Sequence, residues 1–247
     1  MKTEVKTIVD EWDLLAERFN THKSDELAIH PDAAVNIVVG WPVFLEQIKY
    51  QCKYLGKSRL DIMDYGCGVG DLCNKLDDMG HHVVGTDKSE VMLGRAKKNS
   101  SNDIAFCFTN ECSIYEGKMD LVTSMHVLDW IENVDETLLE LSKFLRPGGL
   151  IIFAVFPKKH VIESLQIKDL FEDFDSETNP TKGVCNFDGI KVPVFVREPR
   201  YYDDLFEKMN FDKVLECYPP FPKSFFKKYH WTGAKYPEMV VLAYKKI

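Results

Sequence analysis

The stretch Asp64 to Asp71, "DYGCGVGD", brings together residue types suited to holding a charged ligand: glycines at 66, 68 and 70 flanked by two carboxylates. Glycines in a loop that leaves a strand and opens a helix turn main-chain N–H groups and the positive helix end toward whatever binds there. A dinucleotide loop of the G-x-G-x-x-G kind needs a third glycine where this chain has Asp71, and here the spacing is G-x-G-x-G. Two carboxylates beside a diphosphate would repel it, whereas ammonium or sulfonium charges would be attracted. Asp87 closes "HHVVGTD" about 20 residues beyond the glycines, where an acid at a strand tip accepts from both hydroxyls of a ribose. The expected ligand is therefore a cationic nucleoside with a free ribose.

These residues need a parallel sheet to position them. From Leu60 to about Phe156 short apolar runs alternate with helical patterns, which predicts β-α-β units. Strands are expected at "LDIMDY", "HHVVGTD", "IAFCF", "MDLVTSM" and "LIIFAVF". Leu72, Cys73, Leu76 and Met79 recur at helical spacing before a Gly80 cap, Ser89 caps the next helix, and "DETLLELSKFL" precedes a turn at Pro147, Gly148 and Gly149. Right-handed connections then put helices on both faces. Before this core, Ile8, Trp12, Leu15 and Phe19 share one helical face and "WPVFLEQIKYQCKYLG" forms a second helix, with a loop holding His22, His30 and Pro31 between them. After Phe156 the rhythm stops for about 44 residues, longer than an ordinary connection, which suggests a lid or substrate module. The insertion passes an acidic stretch, "FEDFDSETNP", to a hairpin, "VCNFDGIKVPVFV", turning at "DG". "RYYDDLFEKMNF" reads as a helix, and "DKVLECY" and "EMVVLAYKK" as antiparallel strands at the sheet edge. The expected fold is a Rossmann-like, doubly wound α/β sheet of seven mostly parallel strands. Its parts are a helical cover over 1–57, a core over 58–156, an insertion over 157–200 and a completing helix and strands over 201–247.

Composition narrows the class of function. The 247 residues are 45% hydrophobic, enough for a full core, and carry a net charge of −8. That charge argues against a phosphate backbone as partner, despite lysines in "PKSFFKKYHW" and "AYKKI". Seven cysteines show no C-x-x-C pair or zinc-type spacing with histidine, so reduced thiols and no metal are expected. No apolar stretch reaches the roughly 18 residues of a membrane span, and "MKTEVKTIVDEW" lacks a signal-peptide core, so a cytoplasmic protein, monomeric or homodimeric, is expected.

"DIMDYGCGVGDL", "VVGTDKSEVMLGRAKK", "MDLVTSMHVLDWIEN" and "FLRPGGLIIFAV", in this order, resemble class I S-adenosylmethionine-dependent methyltransferases over about residues 58 to 156. The resemblance implies S-adenosylmethionine as cofactor. It implies that Asp64, Gly66, Cys67, Gly68 and Gly70 surround the methionine part, with Asp87 and Lys88 at the ribose. It implies that Asn110, Glu111 and Cys112 are the candidates beside the adenine, although the usual aspartate is absent, and that Met125 and His126 lie near the sulfonium. Many members have histidine where this chain has Trp130, so no role carries over there. Methyl transfer is an in-line displacement that needs alignment and water exclusion more than a base. If there is a base, His126 is the candidate, at the C-terminal end of the fourth strand. Acceptor-side candidates are Trp12, Phe19, Tyr201 and Trp231, through ring contacts, and Arg197, as a carboxylate clamp. The expected activity is transfer of a methyl group to an O, N or C nucleophile of a small metabolite. The alternatives are a cyclase or lyase acting on the aminobutyrate arm of the cofactor, a non-catalytic cofactor-binding subunit, and a nicotinamide dehydrogenase, which Asp71 disfavours.

Overall fold

The computed structural model describes residues 10–21, 28–101, 103–168, 170–175, 177–178 and 180–247. The chain enters through a short helix, α1 (Glu11–Leu15), and Ile8 and His22 lie outside the described residues. Pro31, expected in a loop, is instead at the start of α2 (Pro31–Val35), where its missing N–H costs no hydrogen bond, and His30 caps that helix by accepting from the Asp32 N–H. A single π-helical turn, Asn36–Gly40, runs on into α3 (Trp41–Leu55), which Gly56 stops in the left-handed conformation.

The core alternates as its apolar pattern requires: β1 (Asp61–Tyr65), α4 (Asp71–Asp78), β2 (His82–Asp87), α5 (Glu90–Asn99), β3 (Ala105–Phe108), β4 (Met119–Met125), α6 (Val134–Phe144) and β5 (Leu145–Val155). The Pro147–Gly149 segment, expected as a free turn, is the irregular start of β5, with Gly148 at φ 75°. Next comes α7 (Lys158–Gln166), then a separate antiparallel sheet of β6 (Phe171–Asp175), β7 (Thr181–Phe187) and β8 (Ile190–Val196). The β7–β8 turn is Asp188-Gly189, with φ 52° and 96°, the double left-handed geometry of a tight hairpin. The chain returns through α8 (Pro199–Lys208), β9 (Phe211–Cys217), α9 (Lys223–Lys228) and β10 (Val240–Lys246).

The large sheet has seven strands in the order β3-β2-β1-β4-β5-β10-β9, parallel except where β10 pairs antiparallel with β5 and β9. One apolar cluster, with Phe44, Ile48, Ile62, Leu121 and Ile152, packs α2–α5 and α9 on one face; another, with Met63, Val122, Phe153, Leu138 and Phe206, packs α6 and α8 on the other. Each of these fully buried side chains contributes about 1.5–3 kcal/mol of burial. The parallel register points the ends of β1, β2, β4 and β5 to one edge and pairs Asp64 with both Gly85 and Thr123. Ligands of open α/β sheets bind at that edge.

Candidate active site

A cavity of about 400 Å³ opens at the C-terminal ends of these strands. Its size suits a small ligand. The glycine loop forms one wall. Gly66, Gly68 and Gly70 have φ of 74°, 54° and 86°, which side chains rarely adopt. A Cβ on Gly66 would meet Val127 Cγ2 at 2.2 Å, so the close approach of the loops after β1 and β4 depends on that residue. At Gly68 a Cβ would meet nothing within 4 Å, so the loop's backbone borders open space there.

The end of β2 fixes the loop. Thr86 O accepts from the N–H groups of Gly66 and Cys67 at 2.8 and 2.9 Å, and Asp87 accepts from Gly68 N–H (Oδ2) and Ser89 N–H (Oδ1), both at 2.9 Å. Each Asp87 oxygen keeps acceptor capacity toward the cavity. Burial pushes its carboxyl upward against these N–H donors. Asp64 is buried one strand over, where the Thr123 hydroxyl donates to it at 2.8 Å and the Cys73 thiol at 3.5 Å. Desolvation outweighs these donors and pushes its carboxyl up to about 6. A cationic ligand would supply the charge that this carboxylate lacks.

The opposite wall is aromatic. Trp12, Phe19, Trp130 and Phe187 meet with ring centroids 5.2 to 6.4 Å apart, and Trp130 meets Phe156 edge-on. His126 also lines the cavity, its ring 4.4 Å from that of Phe156. Its Nδ1 is 3.3 Å from Asp129 Oδ2. The N-terminal segment straps the walls together: Lys88 pairs with Asp10, the Ser89 hydroxyl donates to Asp13, and Arg18 bridges Asp32 and Asp188 of the β7–β8 turn.

Of the residues singled out in the sequence, Asp64, Gly66, Cys67, Gly68, Asp87, Lys88, Met125, His126, Trp12 and Phe19 line this one cavity, and Gly70 closes the loop behind it. Others do not. Asn110 and Glu111 are exposed on the 3-10 segment Thr109–Tyr115, and Cys112 is buried against Cys107 with sulfurs 3.2 Å apart; Thr109 lines the cavity in their place. Arg197 is no carboxylate clamp. It is 1% exposed, and its guanidinium donates to the carbonyls of Phe195, Ile131 and Glu132 at 2.7–3.1 Å. The Tyr201 hydroxyl donates to Asp135 at the surface, and Trp231 packs on Phe221 and Phe225 with its indole N–H donating to Ala234 O, both away from the cavity. His160, on α7, is buried, and burial lowers its imidazole to about 4. Asp129, Phe156, Phe187 and Glu238 were not foreseen in the sequence, since only the folded chain brings the ends of β5, β7 and β10 beside β4. Among the described residues no cluster of three metal-ligating side chains occurs, and no helix is long and apolar enough to cross a membrane.

A family model described as "Methyltransferase domain" matches residues 42–216, most of the chain. The chain belongs to the methyltransferases. Its fold is that of solved methyltransferases whose methyl donor is S-adenosylmethionine. The buried, uncompensated Asp64, the spare acceptor capacity of Asp87 and the open backbone at Gly68 fit that donor. A ubiquinone biosynthesis O-methyltransferase of Agrobacterium fabrum is 29% identical over 140 residues, 51% of this chain and 56% of that protein. The methyltransferase spans about half the length of the curated relatives it matches. Among solved structures, an S-adenosylmethionine-dependent methyltransferase from Mesorhizobium loti superposes with a TM-score of 0.59 at 17% identity, covering 76% of this chain and 92% of that one. Magnesium protoporphyrin IX methyltransferase from Synechocystis PCC 6803, with bound S-adenosylhomocysteine, gives 0.57 at 18% identity and 84% coverage of both. These likenesses carry the fold.

Proposed function

We propose that this methyltransferase acts on a small, largely apolar metabolite, bound between the glycine loop and the aromatic wall. The observation that carries this is the single cavity lined both by Gly68 and Asp87 and by Trp12, Phe19, Trp130 and Phe187. Bound S-adenosylmethionine supplies a methyl group already activated on a sulfonium. Asp87 accepts from the ribose hydroxyls, Asp64 faces the cationic part, and the loop backbone leaves room for the methionine arm. Thr109, Asn110 and Glu111 follow β3, the strand after the one that carries Asp87, and of these Thr109 is the one in reach of the adenine end. The aromatic rings exclude water and stack on a flat acceptor, and the insertion over 157–200 closes the chamber through Phe187 and Leu170. Both reactants are thereby aligned in one desolvated space, which is the chief contribution a protein makes to such a displacement. His126 is the candidate base.

Incubation with methyl-labelled S-adenosylmethionine and a metabolite extract tests the proposal. A labelled small product with S-adenosylhomocysteine is expected. Label found only in RNA or protein, or methylthioadenosine as the nucleoside product, refutes it.

A further inference from the structure

His126 keeps a backbone φ of 51°, a left-handed conformation that costs a non-glycine residue about 1–2 kcal/mol. The surroundings hold it there. Its N–H donates to Ala154 O at 3.0 Å, and its carbonyl accepts the indole N–H of Trp130. Such strain persists only where neighbouring structure enforces it, and it collects at working sites.

Behind the imidazole stands Asp129, which has no exposed surface. Both of its oxygens accept the main-chain N–H of Phe156, at 3.1 and 3.2 Å, which ties the carboxylate to the end of β5. A carboxylate only accepts, so the proton of a neutral imidazole beside it resides on Nδ1 and the lone pair on Nε2. That Nε2 is buried with no hydrogen-bond partner among the described residues, on a side chain that lines the cavity. In a purely structural His–Asp pair both nitrogens would be satisfied. The other titratable groups around the pair are His160, across the Phe156 ring, and Arg197 and Tyr202 on the Asp129 side.

We propose that Asp129 is a positioning residue that fixes His126 as the proton acceptor, and that the acceptor molecule therefore carries a neutral O–H, of the phenol or hydroxyl class. The inference rests on the methyl-transfer reading. An aromatic amine, neutral near pH 7, attacks through its free lone pair and loses a proton afterwards, and a carboxylate is already ionised, so neither needs this pair. For a neutral O–H, the proton passes to His126 Nε2 and the oxygen's electron pair forms the bond to the methyl carbon. The pair of the broken carbon–sulfur bond stays on sulfur, leaving a neutral thioether, and Asp129 stabilises the imidazolium.

The test uses phenol, 4-nitrophenol and aniline as acceptor probes, S-adenosylhomocysteine formation as readout, and ¹⁵N imidazole spectra of the full chain. In the unmodified protein His126 is expected as the Nδ1–H tautomer, with phenol turned over. Asp129→Asn should lower kcat on phenol about 100-fold with KM within threefold. The same variant and His126→Gln should lose at least tenfold less on 4-nitrophenol, already ionised at about pH 8, than on phenol. Equal losses on both phenols, an Nε2–H tautomer, or turnover of aniline but not phenol would overturn the proposal. Should Asp129→Asn not fold, His126→Gln and the tautomer of the unmodified protein decide. Calorimetry with S-adenosylhomocysteine separates the two readings: no binding by the unmodified protein defeats methyl transfer itself, whereas binding without the tautomer defeats only this proposal.

Discussion

Replacing Asp87 with alanine tests the donor site most directly, because in the proposed complex its carboxylate accepts from the ribose. In the protein it accepts from Gly68 N–H and Ser89 N–H, both at 2.9 Å, and 9% of its surface is exposed, on the cavity side. Each hydrogen bond to a charged acceptor is worth about 1.5–3 kcal/mol, so two ribose hydroxyls give about 3 kcal/mol at the low end. At 1.4 kcal/mol per factor of ten, Asp87→Ala should weaken S-adenosylhomocysteine binding by at least about 100-fold. Of the two N–H groups left without their acceptor, that of Gly68 borders the cavity while that of Ser89 is buried, so the folding cost is about 1–3 kcal/mol, a fall in Tm of about 2–12 °C for a chain of this size.

Calorimetry on the unmodified protein, Asp87→Ala and Asp87→Asn separates these effects, with Tm as the check on folding. Asn keeps one acceptor oxygen and should lose about half of the binding free energy that Ala loses. The 2′-deoxy nucleoside sharpens the assay. It should bind about tenfold more weakly than the ribose form to the unmodified protein, but no more weakly than the ribose form to Asp87→Ala, since the partner of the missing hydroxyl is already gone. If folded Asp87→Ala binds within threefold of the unmodified protein, or if the deoxy penalty is the same in both, the ribose assignment is wrong.

Gly66→Ala should destabilise the fold by about 2–4 kcal/mol, because its Cβ would lie 2.2 Å from Val127 Cγ2 at a φ of 74°; adding Val127→Ala should return part of the lost Tm, leaving the backbone cost. Asp64, with a folded-state value of about 6, is above its unfolded value, so the empty protein takes up a proton on folding between about pH 4 and 6 and loses up to about 3 kcal/mol of stability as pH rises through that window. A cationic donor favours the ionised carboxylate, so calorimetric affinity for S-adenosylmethionine should rise from pH 5 to 7, and Asp64→Asn should flatten both profiles. Arg197→Met should lower Tm by about 6–12 °C, a loss of about 3 kcal/mol from three carbonyls stripped of a charged donor, and leave S-adenosylhomocysteine affinity within twofold; a selective rise in acceptor KM at unchanged Tm would restore the clamp that the burial of Arg197 contradicts.

What could be read from the sequence followed from local pattern. The five strands from "LDIMDY" to "LIIFAVF", the Ser89 cap, the Asp188-Gly189 hairpin and the antiparallel closing strands are where periodicity and turn chemistry put them, because each depends on residues a few positions apart. The acidic stretch after α7 concealed β6, whose buried Phe171 faces Phe156 while its carboxylates stay largely outside. The side-chain assignments that failed all depended on distant partners. Arg197 has the composition of an anion clamp, but the carbonyls of Ile131 and Glu132, some 65 positions earlier, consume it. Cys112 turns to Cys107 because a 3-10 segment carries it there, a register that no apolar period announces. Asp129 reads as one more acid after β4 until the end of β5 supplies the N–H that anchors it.

The cavity is rigid at its base for the same reason that its assignments were hard to foresee: each strand end is held by the next. Thr86 O gathers two N–H groups of the glycine loop, Gly66 admits the Val127 side chain, and three residues after His126 comes Asp129, tied to Phe156 of the strand beyond. The glycine loop and the turn that carries His126 thus share a packed contact, between Gly66 and Val127. A shift of the donor loop would displace the imidazole with it, since packed side chains transmit displacement rather than absorb it. The upper wall is held differently, by Lys88–Asp10, Arg18–Asp188 and other pairs with solvent-facing partners, each worth well under about 1 kcal/mol. On the proposed function, weak straps over a stiff floor would let an acceptor enter from the aromatic side without disturbing the alignment that methyl transfer requires.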